Sequence, residues 1–182
     1  MRYIGMILIV LISGSIFYWL DGFTKNIAWI GASVSERSSS VLEVNERETI
    51  PSTFIMAVDS AKIDLKELPR RSFPMVLIYF DPYCPVCHQQ IMEIIKHKDE
   101  LRRINFFLIT PFPFYQMIKT YRDFKLISFQ NIKIGWDIEH RLSRIYSIDK
   151  VPSAIFFDKE GRLINRIIGF VGYKRILSEI NN

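Results

Sequence analysis

The chain has 182 residues, which at roughly 150 residues per domain is one domain plus a small extra segment, and a repeat array or a large multidomain enzyme is excluded. Hydrophobic residues make up 49% and charged residues 24%, too apolar a balance for a disordered chain. The net charge of +5 comes from 24 Lys and Arg scattered among 19 acids with no basic run, so nucleic acid is not expected as a partner.

From Tyr3 to Leu20 the chain runs 18 residues without a charge, between Arg2 and Asp21. A helix of that length reaches about 27 Å, close to the hydrocarbon thickness of a bilayer, and Tyr18 and Trp19 suit the interface. Residues 1–20 are therefore expected to be an uncleaved membrane anchor. The rivals are a cleaved secretory signal, which lacks a clean small-residue cleavage site here, and a buried core helix. Arg2 on the near side, against three basic residues and five acids between Asp21 and Glu48, favours an inside amino terminus. The rest of the chain is then expected outside the cytoplasmic membrane of a bacterium, held by one pass. Residues 21–48, with SERSSS and no strong periodicity, read as a tether of roughly 30 Å as a flexible coil. Residues 49–182 read as the folded domain.

Phe54–Val58 and Ala61–Leu65 alternate as short strands around a turn at Asp59 and Ser60. Met75–Phe80 (MVLIYF) is a continuous apolar run, expected of a strand buried on both faces. In the DPYCPVCHQQIMEIIKHKDELRR that follows, Val86, Ile91, Ile94 and Ile95 recur at helical spacing. Ile104–Thr110 reads as a second central strand, Phe112–Phe124 as a helix, Ile132–Trp136 as a third strand and Glu139–Tyr146 as a helix. Ser153–Phe157 and Leu163–Phe170 flank a turn with Gly161, and Tyr173–Ile180 closes the chain as a helix. The predicted fold class is α/β, a mixed sheet flanked by helices on both faces. Phe112, Phe114 and Tyr115 with Pro111 and Pro113 read as a loop packing on the core rather than a substrate-facing surface, and Trp136 reads as core.

Cys84 and Cys87 are the two cysteines, and they sit where the buried strand meets the helix. Pro85 suits the first helical position, which puts Cys84 at the cap, where free backbone N–H groups and the helix dipole favour a thiolate. Cys87, one turn further in, is expected to be more buried and to resolve a mixed disulfide made by Cys84. The expected chemistry is thiol–disulfide exchange, with a redox-active disulfide and no other cofactor.

VLIYFDPYCPVC, the Val151, Pro152, Ser153 before AIFFD, and the hairpin DKEGRLINRIIGF resemble the thioredoxin superfamily, in particular its membrane-anchored, exported TlpA-like and ResA-like branch. The resemblance covers roughly residues 51–180. It implies a thioredoxin-like fold and a thiol-disulfide oxidoreductase acting on exported proteins. Pro152 would be a cis-proline beside the cysteine pair, with Val151, Tyr83, Pro85 and Val86 lining the substrate groove. Partners would be proteins carrying thiols or disulfides and a membrane or soluble electron-transfer protein. The chain departs from that branch at Tyr83, Val86 and Gln90, where Trp, Pro and an acid are usual, and at Ile78, where thioredoxin itself has a buried Asp. Asp81 and Glu93 are the nearest carboxylates and the candidates for proton transfer, each also readable as a turn residue and a solvated helix position. The CPxC order, with DP before it and His88 after, is more similar to glutaredoxins and Dsb-type oxidases and isomerases, so the direction of electron flow is open.

Rival classes read the same residues differently. CPVCH matches the attachment pattern of a c-type haem with His88 as axial ligand, although such domains are mostly helical. A copper-binding assembly factor would use Cys84 and Cys87 with His88, His97 or His140. A peroxidase would carry Thr or Ser where Asp81 stands, and in a non-catalytic binding module the CxxC would be a local disulfide closing too short a loop to stabilise much.

Overall fold

The computed structural model describes residues 49–67 and 73–181. The expected anchor and tether lie outside the described residues; among those described, no helix is long and apolar enough to cross a membrane.

The elements follow in the order β1 (Phe54–Ala57), β2 (Lys62–Asp64), β3 (Met75–Tyr79), α1 (Pro85–Lys96), β4 (Asn105–Thr110), α2 (Phe114–Asp123), β5 (Ile132–Trp136), α3 (Arg141–Ile145), β6 (Ser153–Phe157), β7 (Leu163–Ile168) and α4 (Tyr173–Asn181). One sheet of seven strands has the order β2-β1-β5-β4-β3-β6-β7. β3, β4 and β5 are parallel, whereas β6, β7, β1 and β2 are joined by antiparallel ladders. This is the mixed sheet that alternating strands and helices with a terminal hairpin imply.

β3 explains why the sheet is covered on both sides. All five of its residues are buried, and because side chains alternate across a strand they divide between two cores. Val76 and Ile78 join Ile91 and Ile94 of α1, Met117 of α2 and Ile176 of α4. Met75, Leu77 and Tyr79 join Ile50, Leu65 and Leu142 of α3 on the other face. Each of the larger buried aliphatic side chains contributes about 1.5–3 kcal/mol, so the central strand is anchored from both directions.

Three predicted boundaries shift by two residues, and the others by one at most. Helix α2 starts at Phe114 because Pro113 stands at its cap with an extended backbone. Helix α3 starts at Arg141 instead of Glu139: His140 has a left-handed φ of 53°, and the buried Asp137 carboxylate accepts from the N–H groups of Arg141 and Leu142. β7 ends at Ile168, where Gly169 turns the chain with φ 96°, a conformation that suits a residue without Cβ.

The carboxyl ends of β3, β4 and β5 and the amino end of β6 lie along one edge of the sheet, since Tyr79 pairs with Ile109 and with Ser153, and Thr110 with Trp136. That edge of a parallel sheet is where open α/β folds gather their functional groups.

Candidate functional site

Leaving β3, the chain makes a tight turn held by Asp81, whose carboxylate Oδ1 accepts from the Tyr83 N–H at 2.7 Å and whose carbonyl accepts from the Cys84 N–H at 3.1 Å. Cys84 then caps α1 with an extended backbone, Pro85 is the first helical residue, and the Cys84 Sγ accepts from the Cys87 N–H at 3.3 Å. A sulfur in place of the usual capping oxygen takes one of the unpaired N–H groups at the positive end of the helix dipole. Both cysteines are free thiols, Cys84 half-buried and Cys87 fully buried. Burial pushes the Cys87 thiol up to about 12; a backbone group at Asp81 opposes the rise, while the Cys84 sulfur and the Asp81 charge reinforce it.

Two side chains brace the turn and its helix. His88 donates through Nε2 to the Pro82 carbonyl at 2.7 Å, while its own N–H binds the Cys84 carbonyl at 3.1 Å. Its ring meets Phe124 edge-on at 5.3 Å. Gln90, fully buried, donates to the Val171 carbonyl at 3.0 Å and accepts from the Val171 N–H at 2.7 Å.

At the entry to β6, beside the end of β3 from which the cysteine turn leaves, the Val151–Pro152 peptide bond is cis. The Pro152 carbonyl accepts from Gly169 N–H at 2.7 Å, and the Ser153 hydroxyl donates to the Lys150 carbonyl at 2.6 Å, which fixes the entry into β6. Tyr83, Pro85 and Val86 are exposed around the half-buried Cys84, whereas Val151 is half-buried and Pro152 buried. Glu93 is used elsewhere: its Oε1 accepts from the Tyr173 N–H at 3.0 Å at the start of α4, with His97, stacked on Tyr173, 3.9 Å away. Of the two candidate carboxylates, Asp81 is the one whose charge bears on Cys87.

One further feature has no sequence forecast, and a second departs from its forecast. On the other face of the sheet the Tyr79 hydroxyl donates to buried Asp137 at 3.1 Å; burial raises both groups above their ordinary values, most strongly Tyr79. The aromatic segment after β4 is divided. Phe114 packs against Trp136 with centroids 6.3 Å apart, but Tyr115 is 67% exposed and Phe112 meets the Tyr83 ring edge-on at 6.1 Å. The loop is therefore only partly core. Among the described residues no three His, Cys, Asp or Glu side chains converge to hold a metal ion.

A CxxC pair at the junction of a buried central strand and a helix, across from a cis-proline, is the arrangement of the thioredoxin-like folds. The thioredoxin-like domain family matches residues 61–182, and the chain belongs to it. No curated protein sequence matches the chain. Among solved structures it is similar to a secreted Mycobacterium tuberculosis disulfide oxidoreductase described as homologous to E. coli DsbE, with 15% identity, TM-score 0.58, and 71% of this chain and 95% of that one covered. A thiol-disulfide oxidoreductase from Bacteroides fragilis aligns with 15% identity, TM-score 0.59, and coverage of 72% and 98%. The exposed lipoprotein thioredoxin of Streptococcus pneumoniae aligns with 19% identity, TM-score 0.52, and coverage of 69% and 95%. At these identities the likeness is one of fold.

Proposed function

We propose that the protein is a thiol-disulfide oxidoreductase of TlpA-like or ResA-like type, acting on exported proteins from the outer face of a bacterial cytoplasmic membrane to which residues 1–20 tether it. The observation that carries this reading is the Cys84 sulfur at the cap of α1, bonded to the Cys87 N–H, with the buried Cys87 one turn behind it.

In the reducing direction the Cys84 thiolate attacks one sulfur of a substrate disulfide. A Cys84–substrate disulfide forms and the other substrate sulfur leaves as a thiolate. Cys87 then loses its proton and attacks the Cys84 Sγ, closing the Cys84–Cys87 disulfide and expelling the second substrate thiolate. Two electrons pass from the dithiol to the substrate, whose thiolates take up the protons. Asp81, whose charge bears on Cys87, is the carboxylate proposed to relay the Cys87 proton. Val151, Pro152, Tyr83, Pro85 and Val86 are proposed to border the groove in which the substrate sulfur is presented. The same steps reversed oxidise a substrate dithiol, with a membrane or soluble partner resetting the pair.

The test is the reduction potential of Cys84 and Cys87 in the detergent-solubilised full chain, by equilibration with glutathione and thiol trapping. A value near −270 mV or lower, as in thioredoxin, fits a reductase, and one near −120 mV an oxidase. Cys87→Ser should accumulate mixed disulfides through position 84 and Cys84→Ser none. A pair that never equilibrates, or a Cys84→Ser variant that exchanges disulfides as well as the wild type, overturns the proposal.

A further inference from the structure

One peptide group in the cysteine turn is held from both ends. The N–H of the Pro82–Tyr83 peptide donates to the Asp81 Oδ1 at 2.7 Å, and its carbonyl accepts from the His88 Nε2 at 2.7 Å. Both distances lie at the short end of the range for such bonds, and a peptide that donates to a carboxylate is polarised so that its carbonyl accepts more strongly. A carbonyl only accepts, so Nε2 carries the proton whether the ring is neutral or charged. The bond therefore does not wait on the titration of His88.

His88 binds this part of the chain a second time, through its backbone N–H, which donates to the Cys84 carbonyl at 3.1 Å. The turn and the start of α1 are thereby closed on each other across Tyr83 and Cys84. The half-buried ring is backed by Phe124, just past α2, which it meets edge-on at 5.3 Å. The peptide planes that lead into the cap decide whether the Cys84 sulfur reaches the Cys87 N–H, now 3.3 Å away. A donor already in place for a charged sulfur costs no reorganisation. The dithiol needs this brace more than the disulfide does, because a Cys84–Cys87 bond would fix the same sulfur over α1 covalently.

Resting on the thiol-exchange reading, we propose that His88 is a positioning residue for the redox pair: by donating to the Pro82 carbonyl it holds the turn in the form that presents the Cys84 sulfur to the Cys87 N–H, and so favours the dithiol over the disulfide.

The experiment uses the detergent-solubilised full chain, equilibrated in glutathione buffers and thiol-trapped, and three variants at position 88. His88→Phe keeps an aromatic ring against Phe124 but has no donor. His88→Gln keeps a donor in the place of Nε2 but neither ring nor charge, and His88→Ala has none of the three. We expect the equilibrium with glutathione to move at least about tenfold toward the disulfide in His88→Phe and His88→Ala, about 30 mV for this two-electron couple, and to stay within about twofold of the wild type in His88→Gln. At pH 7 the rate at which iodoacetamide alkylates Cys84 should fall at least about fivefold in the first two variants and hold in the third. Packing alone would spare His88→Phe and harm His88→Gln, the opposite order. His88→Ala decides in place of His88→Phe should the latter not fold. A wild-type equilibrium in His88→Ala, an equal shift in His88→Gln, or a shift with no loss of alkylation rate overturns this inference alone. A wild-type pair that never equilibrates with glutathione overturns the thiol-exchange reading and this inference with it.

Discussion

Cys84 and Cys87 stand one helical turn apart and meet different surroundings. Cys84 is half-buried, while Cys87 lies buried in the same core as Val76, Ile78 and Ile91 and has its thiol pushed up to about 12 by that burial. At neutral pH a thiol of that kind is ionised in about one molecule in 10⁵, so its attack on a mixed disulfide waits on removal of its proton. Iodoacetamide at pH 7 should therefore alkylate Cys84 in the folded, reduced protein and leave Cys87 intact until denaturant is added; equal labelling of both, read by mass spectrometry, would contradict the burial argument. The same shift links stability to pH. In the unfolded chain Cys87 ionises near its ordinary 9.0, whereas the folded chain keeps it protonated to about 12. The reduced protein should hold this contribution in full below about pH 9 and lose it progressively as pH rises toward 12. The oxidised protein has no thiol to titrate, so the urea midpoints of the two forms should move together up to pH 8 and separate above pH 9, with the reduced form falling faster.

At the scale of elements, α1 owes its position to one side as much as to its apolar face. Gln90, Glu93 and His97 lie along that side and bind the segment that leads into α4: Gln90 takes both backbone groups of Val171, Glu93 takes the Tyr173 N–H, and His97 stacks on the Tyr173 ring at 3.7 Å. Gln90→Leu would leave the N–H and carbonyl of Val171, itself 2% exposed, without partners. Each unmatched buried group costs about 1–3 kcal/mol, so the variant should lose about 2–6 kcal/mol in urea unfolding, and a loss below about 1 kcal/mol would show that water replaces the side chain. This contact also marks where the sequence stops being readable. The apolar runs of β3 and β4, the helical spacing of Ile91 and Ile94, and Pro85 after Cys84 are local signals, and they were enough for the strand–turn–helix that carries the cysteines. Gln90 could be read only as a missing acid, because its partner Val171 is 81 residues away. His88 reads in the sequence as part of the Dsb-like CPxC pattern or as a metal or haem ligand, whereas its ring is spent on Pro82 six residues back. The start of α3 escaped for a similar reason: Asp137 and Tyr79, 58 residues apart, meet only once β3 and β5 are in one sheet. Phe112, Phe114 and Tyr115 look alike in a list of residues, and the helix start at Pro113 is what turns Phe114 toward Trp136 and leaves Tyr115 in water.

At the scale of the molecule, the functional edge of the sheet and its opposite edge do different jobs, and the β6–β7 hairpin touches both. At one end of β6 the Val151–Pro152 bond precedes Ser153, which pairs with Tyr79 where β3 gives way to the cysteine turn. At the other, beyond Phe157, the turn at Gly161 receives the amino-terminal segment of the described domain: Ile50 N–H donates to the Gly161 carbonyl at 3.0 Å, Thr49 bridges Arg162 in antiparallel fashion, and the Tyr146 hydroxyl donates to the Thr49 carbonyl at 3.1 Å. Ile50 is 5% exposed, in the same core as Tyr79 and Phe157. Its burial contributes about 1.5–3 kcal/mol and each of the two hydrogen bonds about 1 kcal/mol. A fragment beginning at Pro51 should therefore be about 3–5 kcal/mol less stable to urea than one beginning at Asn45. The clamp and the site are separated by the length of β6, roughly 15 Å at about 3.3 Å per residue. Both fragments should accordingly show the same Cys84–Cys87 reduction potential under conditions where both are folded. A potential that moved with the truncation would mean that the amino-terminal segment tunes the redox pair through β6, and that the two ends of the sheet are coupled.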